Sequence, residues 1–157
     1  MKQTDVTGIR RAENDELDLV HQLINQKRPG FDLAHWRRQS ALLGSFTYLV
    51  EQEDVFGFVS AGSAELPDST VGEILGLWIS PEFRRSNWGR KLLVRGLSVL
   101  KRRNFETAHV YLNPDSQPAK GLIRTLGFEP LEHERWVNRA DESIQQEGFQ
   151  LSLTDYF

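Results

Sequence analysis

Arginines surround a short loop of small and polar residues in the middle of the chain. The segment 77–93 reads L-W-I-S-P-E-F-R-R-S-N-W-G-R-K-L-L, and its loop contains Arg84, Arg85, Ser86, Asn87, Gly89 and Arg90. A helix that begins at Trp88 has unpaired backbone N–H groups and a partial positive charge in its first turn. Because arginine binds phosphate through paired hydrogen bonds, the loop predicts a site for a phosphate or pyrophosphate. Its spacing matches neither G-x-x-x-x-G-K-[ST] nor G-x-G-x-x-G.

Two strands and two helices are predicted to position this loop. The run 73–79 (E-I-L-G-L-W-I) is apolar on both faces, as in a central strand. An apolar stripe at helical spacing predicts a helix over 88–101. A second buried strand follows at 108–112, and a short helix is expected after it, ending near Gly127.

The other segments complete a single α/β domain. Further strands are expected at 6–10, 45–51, 55–63, 135–137 and 149–153, and further helices after Asn14 and Asp32. This order describes one central mixed sheet flanked by helices, an α/β (α+β) sandwich and not a doubly wound domain. Since no linker interrupts the chain, residues 1–157 are predicted to form one domain.

The composition excludes several classes of function. The chain has 157 residues, a net charge of −3 and no cysteine, which excludes disulfides, thiolate metal sites and a cysteine nucleophile. Its four histidines have neither H-x-x-x-H nor H-E-x-x-H spacing, so no metal site is predicted. No apolar run approaches the roughly 20 residues that span a bilayer, and the polar N-terminus is unlike a signal peptide. We therefore expect a cytoplasmic protein with no membrane contact.

Charge is distributed unevenly along the chain. Eight basic residues and no acidic residue fall between positions 84 and 103, whereas acidic residues dominate from position 129 onwards. A basic patch suits an anion, and nucleic acid is one candidate. The net negative charge and the lack of interleaved aromatic residues argue against that candidate, so no nucleic-acid partner is expected.

Two motifs in this element order resemble the GNAT superfamily of N-acetyltransferases. The family's phosphate loop, Q/R-x-x-G-x-G/A, falls on 84–89, and the pattern A-x-x-L-I-x-x-L-G-F covers 119–128. The resemblance implies acetyl-CoA, or another acyl-CoA, as co-substrate, with its pyrophosphate on the backbone amides from Arg85 to Arg90, Trp88 included. The pantetheine arm would run beside three strand residues, Leu77, Trp78 and Ile79.

Three positions depart from the family's pattern. Asn87 replaces the first glycine of the loop, and asparagine tolerates a left-handed backbone better than other non-glycine residues. Ser116 stands where the family has an asparagine, and its hydroxyl can still hydrogen-bond the cofactor arm. Ile123 stands where the family often has a tyrosine that protonates the thiolate, so another group or water must supply that proton.

Acyl transfer to an amine needs a base, a polarised carbonyl and a proton for the leaving thiolate. Glu73 is the only carboxylate on the predicted central strand and is the candidate base; the alternative is an exposed strand end. A backbone N–H of that strand could polarise the carbonyl. Tyr111, on the next strand, is the candidate proton donor, although packing is the simpler interpretation.

The function predicted from these residues is an acyl-CoA-dependent N-acetyltransferase acting on a primary amine of a small molecule or peptide. The alternative is a non-catalytic acyl-CoA-binding regulatory module, which the departures at Ser116 and Ile123 favour. The sequence leaves open the identity of the acceptor and the formation of a homodimer.

Overall fold

The computed structural model describes residues 8–18, 22, 45–51, 55–64, 70–83, 87–112, 117–139 and 142–154. Within these ranges the strands are β1 (Ile9–Arg11), β2 (Phe46–Glu51), β3 (Val55–Ser63), β4 (Val71–Ile79), β5 (Thr107–Leu112), β6 (Glu129–Arg139) and β7 (Glu142–Ser152). The α-helices are α1 (Trp88–Arg102), between β4 and β5, and α2 (Gln117–Thr125), between β5 and β6.

All seven strands form one mixed sheet in the order β1-β2-β3-β4-β5-β7-β6, which places β4 at its centre. Neighbouring strands are antiparallel except β4 and β5, which are parallel. Since parallel neighbours need a crossover, α1 carries the chain across one face of the sheet. The predicted mixed sheet and its central strand are confirmed.

Both helices pack on the same side of the sheet, here called the helix face. Apolar side chains from the helices and strands form one buried cluster there, including Val59, Ile74, Leu92, Leu93, Leu97, Leu100, Ala108, Ile123 and Phe149. Gly96 lets α1 approach the strands closely. A Cβ atom at this position would lie 3.3 Å from Cγ2 of Val59 and 3.5 Å from Cδ1 of Ile74.

The opposite side of the sheet is here called the far face. Leu49, Phe58 and Trp78, from three adjacent strands, form a second buried cluster on it. Polar groups are also buried on this face, where Oγ1 of Thr47 and Oγ of Ser60 lie 2.7 Å apart. The far face therefore combines an apolar cluster with enclosed polar groups.

Both helices end in left-handed residues. Asn104 follows α1 with φ 71°, and the N–H of Phe105 donates to the carbonyl of Leu100 at 3.1 Å. Gly127 follows α2 with φ 99°, and the N–H of Phe128 donates to the carbonyl of Ile123 at 3.1 Å. Such bonds satisfy the last carbonyls of a helix, and the predicted stop near Gly127 is confirmed.

Arg10 joins β1 to β2 and to the turn Asn14–Glu16. Its guanidinium donates two hydrogen bonds to Glu16, at 2.8 and 2.6 Å, and one to Glu51, at 2.8 Å. The bonds to Glu16, and then those to Glu51, raise the pKa of Arg10 above its usual range although burial opposes them. Arg10 is therefore charged throughout the working pH range.

Several predicted boundaries differ from the structure. β6 and β7 are each 11 residues long, whereas short strands at 135–137 and 149–153 were expected. Their many polar residues break the apolar pattern by which a strand is predicted. Pairing between the two strands outweighs their weak intrinsic β-propensity. Beyond the turn Asn14–Glu16, residues 17, 18 and 22 are helical. The rest of that predicted helix, and the one after Asp32, lie outside the described residues.

None of the helices in the described ranges has the length and apolar character needed to cross a membrane.

Candidate active site

Strands β4 and β5 form a wedge at the centre of the sheet. Their parallel register covers four pairs, from Val71 and Thr107 to Ile74 and Val110. β4 then continues to Ile79 and β5 to Leu112, past the last register pair. The wedge, defined as the gap between residues 75–79 of β4 and 111–112 of β5, gives an extended ligand access to strand backbone.

A β-bulge at Leu75 marks the inner end of the wedge. On β3, Ser60 pairs with Gly76 while the next residue, Ala61, pairs with Ile74, so Leu75 is the extra residue of β4. A bulge bends its strand and releases backbone groups from the ladder. The backbone N–H groups at this end of the wedge are therefore candidates for polarising a bound carbonyl, as expected for the strand.

Glu73 lies two residues before the bulge and is only 6% exposed. Its neighbours Gly72 and Ile74 face α1, since a Cβ at Gly72 would lie 2.9 Å from Cδ2 of Leu100 and Ile74 contacts Gly96. Alternation along a strand therefore places the Glu73 side chain on the far face. The alternative prediction, an exposed strand end, is wrong.

His109 and Tyr111 share the far face with Glu73. His109 is the register partner of Glu73 on β5 and is also 6% exposed. The rings of His109 and Tyr111 meet edge to face, with centroids 6.3 Å apart and planes at 74°. Tyr111 also packs on Gly148, where a Cβ would lie 2.9 Å from its ring. The packing predicted for Tyr111 is confirmed, and its role as proton donor stays a prediction.

The outer end of the wedge lies beside the first turn of α1. Asn87 precedes the helix in a left-handed conformation, φ 64° and ψ 11°, and its side chain makes no cap hydrogen bond. The first N–H groups of a helix have no acceptor within the helix, so those of Trp88, Gly89 and Arg90 are available to an anion. The prediction that Asn87 adopts a left-handed backbone is confirmed.

Aromatic contacts fix both ends of the loop before α1. Phe83, in the turn Pro81–Phe83 that follows β4, stacks on Phe56 with ring centroids 3.9 Å apart. Trp88 meets the same Phe56 edge to face at 5.5 Å. One side chain of β3 therefore anchors both flanks of the loop, and the indole of Trp88 serves packing.

The other predicted cofactor residues differ in placement. Trp78 is 4% exposed in the far-face cluster, whereas Leu77 and Ile79 are half-buried against the helix-face core. Arg90 is exposed on the first turn of α1. Four remaining candidates, Arg84, Arg85, Ser86 and Ser116, lie outside the described residues.

Three cations of the basic tract between positions 84 and 103 pack on aromatic rings. Nζ of Lys91 lies 4.5 Å from the ring centroid of Trp88, and the guanidinium of Arg103 lies 4.6 Å from that of Phe46. Arg95 lies similarly 5.4 Å from Tyr48. These cations contact the helix face through cation–π interactions, so the tract is not simply a solvated stripe.

Ile123, at the family's tyrosine position, is 2% exposed in the helix-face core. Its side chain has no proton to donate and fills space between α2 and the sheet. This supports the sequence-based conclusion that any proton for a leaving group must come from elsewhere.

An acidic cluster occurs apart from the wedge. Carboxylate oxygens of Glu13, Asp15 and Glu16 lie within 4.8 Å of one another. Glu16 accepts the paired hydrogen bonds of Arg10 and a third from the N–H of Glu13 at 3.0 Å. The cluster is therefore part of an ion-pair network, and we assign no metal to it.

Sequence reasoning missed two features of the site. His109 was treated only as one of several scattered histidines, although it is, like Glu73, a titratable residue on a predicted buried strand. The burial of both strands was predictable, but the register that places His109 beside Glu73 has no signal in either segment. The bulge at Leu75 had no signal, since the surrounding run is apolar throughout.

Comparison with known proteins agrees with this architecture. The sequence matches the acetyltransferase (GNAT) family over residues 10–128. A mycothiol acetyltransferase of Thermobifida fusca is 35% identical over 72 residues, covering 46% of this chain and 22% of the relative. An uncharacterized N-acetyltransferase of Methanocaldococcus jannaschii is 24% identical over 138 residues, covering 79% of this chain and 61% of the relative. The chain thus spans less than two thirds of either relative.

Solved structures share the fold at low sequence identity. The ribosomal-protein-alanine N-acetyltransferase of Brucella melitensis superposes with a TM-score of 0.72 at 18% identity, covering 92% of this chain and 98% of that one. A Salmonella typhimurium protein, solved with its cofactor acetyl-CoA, gives 0.72 at 19% identity and covers 92% of each chain.

With a mixed sheet parted between two parallel central strands, and a family match over most of its length, this chain belongs to the GNAT acetyltransferase family.

Proposed function

We propose that the chain is an acyl-CoA-dependent N-acetyltransferase that moves an acetyl group from acetyl-CoA to a primary amine. The observation that carries this proposal is the wedge between β4 and β5, with the first turn of α1 at one end and buried Glu73 near the other. An extended ligand with amide groups can bond to a strand edge as a short added strand. Phosphates suit the N-terminus of a helix.

The residues around the wedge fit an acyl-CoA. We assign the backbone edge at Leu77, Trp78 and Ile79 to the pantetheine arm. The N–H groups at the start of α1 suit the pyrophosphate because they have no acceptor within the helix. A Cβ at Gly89 would lie 3.7 Å from Leu122 and 3.9 Å from Ile79, in ordinary contact. Proposed contacts outside the described residues are Arg84, Arg85, Ser86 and Ser116. When bound, the co-substrate supplies an acetyl group activated as a thioester.

The reaction forms a carbon–nitrogen bond and breaks the carbon–sulfur bond of the thioester. The amine loses a proton and the sulfur gains one, so the overall reaction consumes no further reagent. We assign the first proton to the carboxylate of Glu73, directly or through water. A backbone N–H at the Leu75 bulge polarises the carbonyl oxygen. Because Ile123 has no proton to give, Tyr111 is the assigned donor to sulfur.

The acceptor belongs to one of two chemical classes. A relative named for mycothiol directs attention to small amines, and a structural neighbour named for ribosomal-protein alanine directs it to peptide N-termini. We propose a primary amine in either class and a cytoplasmic location, which the lack of cysteine fits. A panel of polyamines, amino sugars and short peptides separates the two classes.

A second candidate function is acyl-CoA binding without turnover. The specific observation in its favour is Ile123, which replaces the family's usual donor by a buried alkyl group. The two functions predict the same affinity for CoA and differ only in release of free thiol.

Two measurements test the proposal. Acetyl-CoA at 100 times its dissociation constant should stabilise the fold by about 2.7 kcal/mol, seen as a rise in melting temperature. Thiol release with the amine panel should be lowered about 100-fold or more by Glu73→Gln, with CoA affinity unchanged. The control is Glu132→Gln, which removes an exposed carboxylate on β6. No thermal shift with millimolar CoA rejects both functions; a shift without turnover on any amine favours the non-catalytic one.

A further inference from the structure

Of the two residues that pair with Glu73 on the neighbouring strands, only one has a side chain. On β3 its register partner is Gly62, and on β5 it is His109. Position 62 cannot easily hold a larger residue, because a Cβ there would lie 3.0 Å from Cα of Ser45. The imidazole of His109 is therefore the cross-strand side chain that flanks Glu73 on the far face.

Both side chains are enclosed, since Glu73 and His109 are each 6% exposed. Adjacent strands lie about 4.8 Å apart, so side chains of in-register residues on the same face are within reach of each other. A carboxylate that is removed from water needs a donor to stay ionised. An imidazole N–H can supply one and also restricts the rotamer of the carboxylate.

The surroundings hold the imidazole in place. Tyr111 meets it edge to face, and the lack of a side chain at Gly148 leaves room for that tyrosine ring beside β7. On its other side His109 pairs with Gln150, which in turn pairs with Glu129 on β6. The polar and titratable residues of the described strands that neighbour His109 on the far face are thus Glu73, Thr107, Tyr111, Gln150 and Ser152, and Glu129 lies one strand further away.

We propose that His109 is a positioning residue for Glu73: its imidazole holds the carboxylate in the ionised form and directs it to the inner end of the wedge. This inference rests on the proposed function, in which Glu73 takes the proton of the amine. His109 contacts neither the acyl group nor the amine in this scheme. It acts only through Glu73, which distinguishes it from a second catalytic base.

Kinetics of matched variants test the inference. His109→Leu should lower kcat at least about tenfold and leave KM for acetyl-CoA unchanged. This loss is a part of the ~100-fold or more that a general base contributes to the rate. His109→Asn keeps an N–H donor and should restore most of the rate. In His109→Leu the acidic limb of the kcat/KM profile should move to higher pH by about one unit, since a lost hydrogen bond to a carboxylate disfavours its ionised form.

A double-variant cycle separates positioning from packing. In the Glu73→Gln background, His109→Leu should cause no further loss of kcat, because the group it serves is gone. An equal further loss in that background would overturn the inference. So would a parent-like rate and pH profile in His109→Leu while Glu73→Gln remains inactive, an outcome that leaves the proposed function intact.

A titration without turnover covers the remaining outcomes. Side-chain ¹³C shifts of glutamate-labelled protein, assigned to Glu73 by their loss in Glu73→Gln, give its pKa directly. The pKa should rise in His109→Leu and stay near the parent value in His109→Asn. If His109→Leu does not fold, His109→Phe, which also lacks an N–H donor, replaces it and the same order is expected. An identical Glu73 pKa in the parent and the folded variant that lacks the donor would reject the inference, even if no amine is acetylated.

Discussion

Gly57 of β3 lies against Ile79 at the outer end of β4: a Cβ atom at position 57 would lie 2.6 Å from Cδ1 of Ile79 and 2.9 Å from the carbonyl oxygen of Trp78. The isoleucine methyl can turn away, but the backbone carbonyl cannot. A glycine therefore sets the spacing of the two strands where β4 reaches α1.

Replacing Gly57 by alanine should destabilise the fold and weaken CoA binding together. Overpacking in a close-packed region costs about 1–3 kcal/mol. Gly121→Ala on α2 is the control, since nothing lies within 4 Å of its Cβ position. That change should raise the free energy of unfolding by up to about 1 kcal/mol and leave CoA affinity unchanged. Urea unfolding and CoA titration measure both; equal stabilities would contradict the close approach.

Asn87→Gly should preserve CoA binding and stability. Glycine adopts positive φ freely, so the change relieves the strain of a left-handed residue. The greater freedom of glycine in the unfolded chain offsets this gain by at most about 1 kcal/mol. Asn104→Gly, at the other end of α1 with φ 71°, should shift the melting temperature to a similar extent. Loss of CoA binding in Asn87→Gly alone would mean that the asparagine side chain itself contacts the ligand.

Gly89→Val should weaken CoA binding more than Asn87→Gly or Asn104→Gly does, because a branched side chain would enter the space where the proposed pyrophosphate meets the first turn of α1. Gly89→Ala should be tolerated without ligand, since its Cβ makes contacts of 3.7 Å and 3.9 Å only. Calorimetric titration with CoA measures the difference. Unimpaired affinity in Gly89→Val would place the pyrophosphate elsewhere.

Ile123→Tyr should destabilise the protein by about 1–3 kcal/mol, because it inserts a larger side chain with a hydroxyl into a packed core. Ile123→Val, which only removes a methylene, should cost about 0.5–1.5 kcal/mol and leave acetyl transfer unchanged. Differential scanning calorimetry of both variants measures these losses. A tyrosine variant as stable as the parent and faster in turnover would mean that this side chain reaches the thiol.

Arg10→Ala should destabilise the fold by about 3 kcal/mol, since it leaves the buried carboxylate of Glu16 without its charged partner. Arg11→Ala, an exposed residue on the same strand, should change stability by less than about 0.5 kcal/mol. The pKa of Arg10 is raised in the folded state, so its contribution is complete below the unfolded-state pKa of arginine and is lost only above it. Urea midpoints of parent and variant should therefore differ equally at pH 7 and pH 10.

The elements that position the wedge could be predicted because each has a local signal. The strand 73–79 is a continuous apolar run, and the helix from Trp88 carries an amphipathic pattern that the structure reproduces almost to the residue. The fold class followed from their order. The left-handed residue at Asn87 was also predictable, since so few residue types tolerate that backbone.

The pairing of Glu73 with His109 and the bulge at Leu75 could not be predicted in the same way. Both depend on the register between strands that are distant in sequence, and register is set by the packing of the whole sheet. The polar hairpin of β6 and β7 shows the same dependence, because its strands extend by pairing with each other and not by apolar alternation. Chemistry at this site therefore depends on relationships that no single segment encodes.

The bulge at Leu75 also divides β4 into two half-strands of opposite phase. Glu73 and Trp78 are separated by five positions, which would place them on opposite sides of an uninterrupted strand, yet both lie on the far face. Deleting one residue from 74–76 would leave four positions between them, so an uninterrupted strand would keep both on the far face and Ile79 towards α1. The extra residue therefore accommodates the change of phase and supplies the bend and the freed backbone groups at the inner end of the wedge, so deleting it would remove these and leave the side chains of the wedge's wall on their present faces.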